Sequence, residues 1–236
     1  MGKSKEAPLK LSNPDFDKNV FINCPFDQMF IPLLRPLLFV ILYLGYNPRI
    51  AQERFNSAEQ RLEKICELIQ KSKFSIHDLS IMRSKEANEY FRLNMPLELG
   101  IDLGCRLFES NKLKNKIFLI FEKDPYEYHK SLSDLSGVDI KPHGNEPENI
   151  VRHVRNWFVE NDLNTAVSAT RIWDDFNTFM ADFYAKRKKE GFQDVDLQFM
   201  PLPEYIIYIK KWLHERKKLR NYPLRASNIS TDRKAC

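Results

Sequence analysis

Glu98 is the residue in this sequence that first calls for chemistry. It lies in the stretch FRLNMPLELGIDLG, residues 91–104, between Leu97 and Leu99, two residues after Pro96 and two before Gly100. Glutamate is seldom placed in an apolar, core-bound segment unless it is paired or used. In the first turn of a helix it would be stabilised as an anion by the partial positive charge of the helix N-terminus. In a pocket floored by Met95 and Leu97 it could act on a sugar. Cleavage of an N-glycosidic bond passes through a cationic sugar, and one fixed carboxylate can stabilise that cation or attack it. The rival assignment is a solvent-facing Glu98 with the two leucines on flanking faces of the helix.

Positioning such a group falls to the elements around it. NVFINC, residues 19–24, has the β-rich composition of a strand. Residues 28–44 read as an apolar helix, with Pro32 in its first turn, Pro36 marking a kink or a later start, and Gly45 ending it. GYNPRIA, residues 45–51, ends that helix and starts a second short strand. Residues 57–73 place Leu62, Ile65, Leu68 and Ile69 at helical spacing behind Ser57 as N-cap. FSIHDLS is a third strand, and a polar loop runs from Ile81 to Tyr90. A helix opened by Pro96 comes next, then the uninterrupted apolar strand NKIFLIFE, of the type buried on both faces. PYEYHKSLSDL reads as helix, GVDIKPH as a fifth strand and EPENIVRHVRNWFVEN as an amphipathic helix.

Five alternations of strand and helix predict a flavodoxin-like α/β domain with a five-stranded parallel sheet in the order 2-1-3-4-5. Ligands of such sheets bind beyond the carboxyl ends of the strands. That rule gathers Asn23, Phe26 and Asp27 after the first strand, Arg49, Gln52 and Glu53 after the second, and Ser75, His77, Asp78 and Ser80 at the third. Arg92, Asn94 and Glu98 join them from the next helix. Two of these have plain structural alternatives. Asp78 could cap a turn through the backbone of Ser80, and His77, alternating with Ile76, could be a hydrogen-bonded core histidine.

VFINCPFD, SIHDLS and RLNMPLELG, in this order and spacing, resemble a bacterial branch of the TIR-like superfamily, which borders the nucleoside 2-deoxyribosyltransferases. The resemblance spans roughly residues 18–160. It implies that Glu98 is the catalytic carboxylate, that Asp78 and Asn94 hold ribose or base, and that the Asn23–Asp27 loop lies over a nucleotide. With Phe26, Arg49, Ser80 and Arg92 these form the expected binding set. NAD enters as substrate, cleaved at the nicotinamide–ribose bond, with no cofactor and no metal, and antiviral defence is the implied setting. The sequence departs from the family pattern in lacking a Gly-rich phosphate loop. Phosphate contacts therefore fall to helix N-termini and Arg49 or Arg92. Cys24 stands where the deoxyribosyltransferases usually carry Gly, which weighs against base exchange. Two functions remain open at this stage: a nucleosidase, or a non-catalytic module that senses a nucleotide or binds a partner with the same fold.

The α/β domain is expected over residues 18–162, a helical extension over 163–220, and flexible ends at 1–17 and 221–236. The extension carries two aromatic-rich helices, TRIWDDFNTFMADFYAKRKKE and PLPEYIIYIKKWLHERKKL, expected to bury their aromatic faces on the main domain or on a second copy. A homo-oligomer is expected. With 37 basic and 32 acidic residues, the net charge of +5 gives no case for nucleic acid as a partner. The four cysteines show no metal or disulfide spacing and read as thiols of a reducing compartment. The most apolar run, Leu37–Leu44, is far short of the roughly 20 residues that cross a bilayer. Together with a polar start, this predicts a cytoplasmic chain with no membrane partner.

Overall fold

Burial divides the sheet cleanly between two layers of helix. In a computed structural model, residues 15–80, 93–109, 112–161 and 167–221 are described. The strands are β1 (Asn19–Asn23), β2 (Asn47–Ile50), β3 (Phe74–Asp78), β4 (Ile117–Glu122) and β5 (Lys141–Pro142). All neighbours are parallel and the order is β2-β1-β3-β4-β5, as expected from the sequence. The helices are α1 (Ile31–Tyr43), α2 (Arg61–Gln70), α3 (Asn94–Phe108), α4 (Pro147–Asn161), α5 (Ala169–Lys189), α6 (Asp194–Gln198) and α7 (Leu202–Asn221).

Alternation along the strands assigns the two faces. Val20, Ile22, Phe74, Ile76, Leu119 and Phe121 join a core with α1, α4 and the C-terminal helices. Phe21 points the other way, onto Ala51 and the α2 residues Ile65, Leu68 and Ile69. On that second side Ile120 packs with Leu79, Met95 and Leu99 of the α3 region. The buried strands are β1 and β3. The first two residues of β4 are only half buried, because β5 pairs with Phe121 and Glu122 alone.

Local differences from the sequence reading have physical causes. α1 runs straight through Pro36, which forgoes one backbone bond in a helix otherwise almost wholly buried. It ends where Gly45 adopts φ +86°, with Tyr46 N–H donating to Ile41 O and Gly45 N–H to Leu42 O. α2 begins at Arg61 rather than after Ser57, and Leu62 is exposed. The stretch expected as a helix around 125–135 is instead a loop with two 3₁₀ turns. The buried Glu122 carboxylate accepts from the amides of Tyr126 and Tyr128, and Tyr126 has φ 65°, so the loop's amides are committed before a helix can start. Phe16 is buried in a 3₁₀ turn (Phe16–Lys18) and its carbonyl accepts from Lys73 N–H, so residues 15–17 are held by the domain and are not part of a flexible end. The rest of the expected flexible ends, and the 162–163 boundary, lie outside the described residues.

The helical extension packs onto the domain. Phe39 of α1 meets Phe176, Phe179 and Trp212 at ring centroids 5.4–5.9 Å apart. Asp175 of α5, buried, accepts from Tyr43 Oη and from Arg216 of α7, tying three helices together. Phe176, Phe179, Phe183 and Tyr205 are buried, and Trp173, Tyr208 and Trp212 are partly so. Among the described residues no helix is long and apolar enough to cross a membrane. Phe39→Ala should cost about 3–5 kcal/mol in urea denaturation and lower a single cooperative transition. Two separate transitions would show that the extension folds independently.

Candidate functional site

The carboxyl ends of β1 and β3 face the first turns of α3, and the contact between them is polar. Asn23, the last residue of β1, donates from Nδ2 to Met95 O of α3 at 2.8 Å and lies 3.0 Å from His77 Nδ1. The bond to Met95 O fixes the amide orientation, so His77 Nδ1 is the acceptor and its ring proton sits on Nε2. His77 Nε2 then donates to Asp102 Oδ2 at 3.1 Å. Lys116 Nζ lies 3.1 Å from Asp102 Oδ1 and also donates to Ile69 O and Ser72 O, closing the C-terminal end of α2. Burial alone would raise the Asp102 carboxyl; the His77 hydrogen bond and the charge of Lys116 outweigh it and hold it below the ordinary range. Burial in turn lowers the Lys116 ammonium, with Asp102 opposing.

Asp102 is four residues after Glu98 on α3, so the pin that holds Asp102 also sets the face on which Glu98 stands. Glu98 itself is 4% exposed. Among the described residues its charged neighbour is Arg61, at 3.8 Å, which is too far for a hydrogen bond. Burial therefore prevails, and its pKa is raised from 4.5 to about 7, with Arg61 pulling weakly the other way. The first-turn assignment needs correction. α3 starts at Asn94, so Glu98 is its fifth residue and lies beyond the reach of strong helix-end stabilisation. Leu97 is also not a floor: it is 54% exposed, and the apolar backing comes from Met95 and Leu99.

Cys24 reports what surrounds the end of β1. Its thiol is raised well above its ordinary value, first by burial and then by the charges of Asp78, Glu98 and Asp27. Cys24 is therefore unsuited to act as a thiolate nucleophile. Asp27 accepts from Phe30 N–H at 3.0 Å, shaping the turn that leads into α1. Phe26 is half buried against the main core. Asn23 Oδ1 is buried without a hydrogen-bond partner among the described residues.

Asp78 and Ser80 form a second cluster with His143, which lies just past β5. Ser80 N–H donates to Asp78 Oδ1 at 2.9 Å, the turn capping expected of it. His143 Nε2 is 2.6 Å from Ser80 Oγ and 3.2 Å from Asp78 Oδ2, a composition suggestive of a Ser-His-Asp triad. The wiring is different. His143 Nδ1 accepts from Asn145 N–H at 2.9 Å, so the neutral ring carries its proton on Nε2, the atom facing Ser80. A ring so arranged donates to Ser80 and cannot take its proton, and the carboxylate does not orient the opposite nitrogen. The cluster holds the loop after β3.

The remaining expected residues scatter. Arg49 is closed on Glu53 by two hydrogen bonds of 2.8 and 2.7 Å. Asn94 is exposed at the start of α3. Arg92 lies outside the described residues. Asp102, Lys116, His143 and Arg61 were missed. The spacing of Asp102 four residues after Glu98, and the position of His143 at the end of the fifth strand, were the signals that could have found two of them. Among the described residues no group of three or more His, Cys, Asp or Glu side chains could hold a metal ion. No family model, curated protein or solved structure matches the chain.

The two carboxylates of α3 should respond oppositely to neutralisation. Folded Glu98 keeps its proton up to about pH 7, whereas the unfolded chain releases it near 4.5. Folding thus binds a proton across that window, and the group's contribution to stability falls as pH rises through it. Glu98→Gln should gain up to about 3 kcal/mol at pH 8 and little at pH 4.5, measured by denaturant titration. Asp102→Ala should lose about 3–5 kcal/mol at neutral pH, because it strands Lys116 in the interior. A loss of stability in Glu98→Gln at pH 8 would mark Glu98 as a structural group.

Proposed function

We propose that the protein is a TIR-like nucleosidase that cleaves the N-glycosidic bond of NAD or a related nucleotide, acting as a cytoplasmic effector of antiviral defence. The observation that carries the proposal is Glu98. It is a buried carboxyl near the carboxyl ends of β1 and β3, raised to about 7 by burial, and among the described residues its ion-pair partner is Arg61 at 3.8 Å, beyond hydrogen-bond distance. Proteins rarely retain such a group unless it is used. In this reading the C1′–N bond breaks with its electron pair passing to the nicotinamide ring, which leaves neutral. The sugar cation is stabilised by ionised Glu98, water adds at C1′, and its proton goes to solvent. The leaving group needs no acid, so the working form is the carboxylate. In the same reading Asn23 and the loop through Phe26 and Asp27 line the sugar side, and buried Met95 and Leu99 exclude water behind it.

One observation favours a rival. Arg61 stands 3.8 Å from Glu98, and a module that only senses a nucleotide could keep that pair as its resting state. Incubation of concentrated protein with NAD and a set of nucleosides, followed by chromatography for released base, separates the two. The enzyme reading predicts release whose kcat/KM rises with pH through a midpoint of about 7, the range to which burial raises Glu98. It also predicts that Glu98→Gln loses a factor of about 100 or more in turnover while remaining folded. Undiminished release from folded Glu98→Gln would remove Glu98 from catalysis. Nucleotide binding without release by the unaltered protein would favour the sensor.

A further inference from the structure

The loop after β2 and the start of α7 enclose a cleft of about 570 Å³ beside α2, lined among others by Arg54, Phe55, Arg61, Lys64, Pro201 and Leu202. Its cations are not equivalent. Arg54 is held by Glu59 and Glu67 together. Lys64 donates to Arg54 O at 3.1 Å and lies 3.8 Å from Glu59. Arg49, the sequence's candidate for phosphate, is consumed by Glu53 and does not line the cleft. Arg61 differs from all three. Its side chain is 54% exposed, and among the described residues its charged neighbour is Glu98 at 3.8 Å. Among the described residues the cleft therefore carries one guanidinium with no hydrogen-bonded carboxylate, lining the open volume and 3.8 Å from the buried carboxyl. Phe55, 93% exposed, offers a bare aromatic face on the same loop.

We infer that Arg61 is the phosphate-binding residue of the Glu98 site and that this cleft receives the phosphate-bearing half of a nucleotide or dinucleotide. The inference rests on the reading of Glu98 as the reacting carboxylate. A guanidinium with its fork free can engage a phosphate in two parallel hydrogen bonds, which an arginine already closed on a carboxylate cannot do without breaking that pair. Its place beside Glu98 sets the order of the ligand: phosphate at the cleft, sugar at the carboxyl. Phe55 supplies a stacking surface for a base beyond the phosphate.

The test is isothermal titration calorimetry of the full chain with inorganic pyrophosphate, ADP and adenosine, using Arg61→Gln and Arg61→Lys. The unaltered protein should bind pyrophosphate and ADP. Arg61→Gln should weaken both tenfold or more and leave adenosine unchanged, and Arg61→Lys should recover part of the loss. Pyrophosphate and ADP bound equally tightly by Arg61→Gln, or not bound at all by the unaltered protein, would overturn the assignment. Binding is read without turnover, so it stands apart from the glycosidic-bond test. If base is released, an unchanged KM for NAD in Arg61→Gln would overturn the subsite and leave the role of Glu98 intact.

Discussion

The ion pair between Asp102 and Lys116, completed by His77, is the interaction on which the arrangement of this molecule depends. It joins α3, β3, the entry to β4 and the carbonyl end of α2 at a single buried point. Buried charges are tolerated when each is matched, and here each is. Asn23 adds a second tie, from the end of β1 to Met95 O. With α3 held at two places, Glu98 has little freedom to turn outward. It is enclosed in the same interior, and among the described residues its charged neighbour is Arg61, 3.8 Å away. One helix thus carries two buried carboxylates, one held below its ordinary range by His77 and Lys116 and one raised to about 7 by burial, with Arg61 opposing weakly. Separation of two acids by environment is a recurring device of sites that handle protons or cations.

The parallel sheet explains why these groups meet. β1 and β3 lie side by side at the centre, and the crossover reverses between them, which opens the space beyond their carboxyl ends. Asn23, His77 and Asp78 arrive there as strand-terminal residues, and α3 brings Glu98 across them. The C-terminal helices stand apart from this chemistry for most of their length, covering α1 through an aromatic cluster around Phe39. Near the start of α7 they return to the cleft beside α2, so the extension is structurally continuous with the domain.

The topology was legible because strands buried on both faces and helices with one apolar stripe alternate in ways that few folds satisfy. Glu98 was legible for a related reason, since a charge in an apolar stretch breaks the pattern around it. Its neighbours were less so. Asp102 looks like one more polar residue on an amphipathic helix until Lys116 and His77 are seen beneath it, and that contact is made between distant segments. Arg49 seemed available for phosphate, yet Glu53 follows it at a spacing that lets the chain consume it locally. Arg61 gave no sequence signal, because only the structure shows Arg49 and Arg54 closed on carboxylates while Arg61 is not. The segment around 125–135 misled by composition. Its first amides are claimed by the Glu122 carboxylate at the end of β4, a side-chain contact that helix propensity does not register.

The account turns on whether Glu98 is truly held in an environment that resists its charge. Site-resolved carbon-13 NMR of the glutamate side-chain carboxyls, titrated in the free protein and assigned with Glu98→Gln, measures this directly. The account predicts one carboxyl, absent from Glu98→Gln, titrating with a midpoint near 7. A Glu98 midpoint near 4.5, the value of a solvated glutamate, would contradict it.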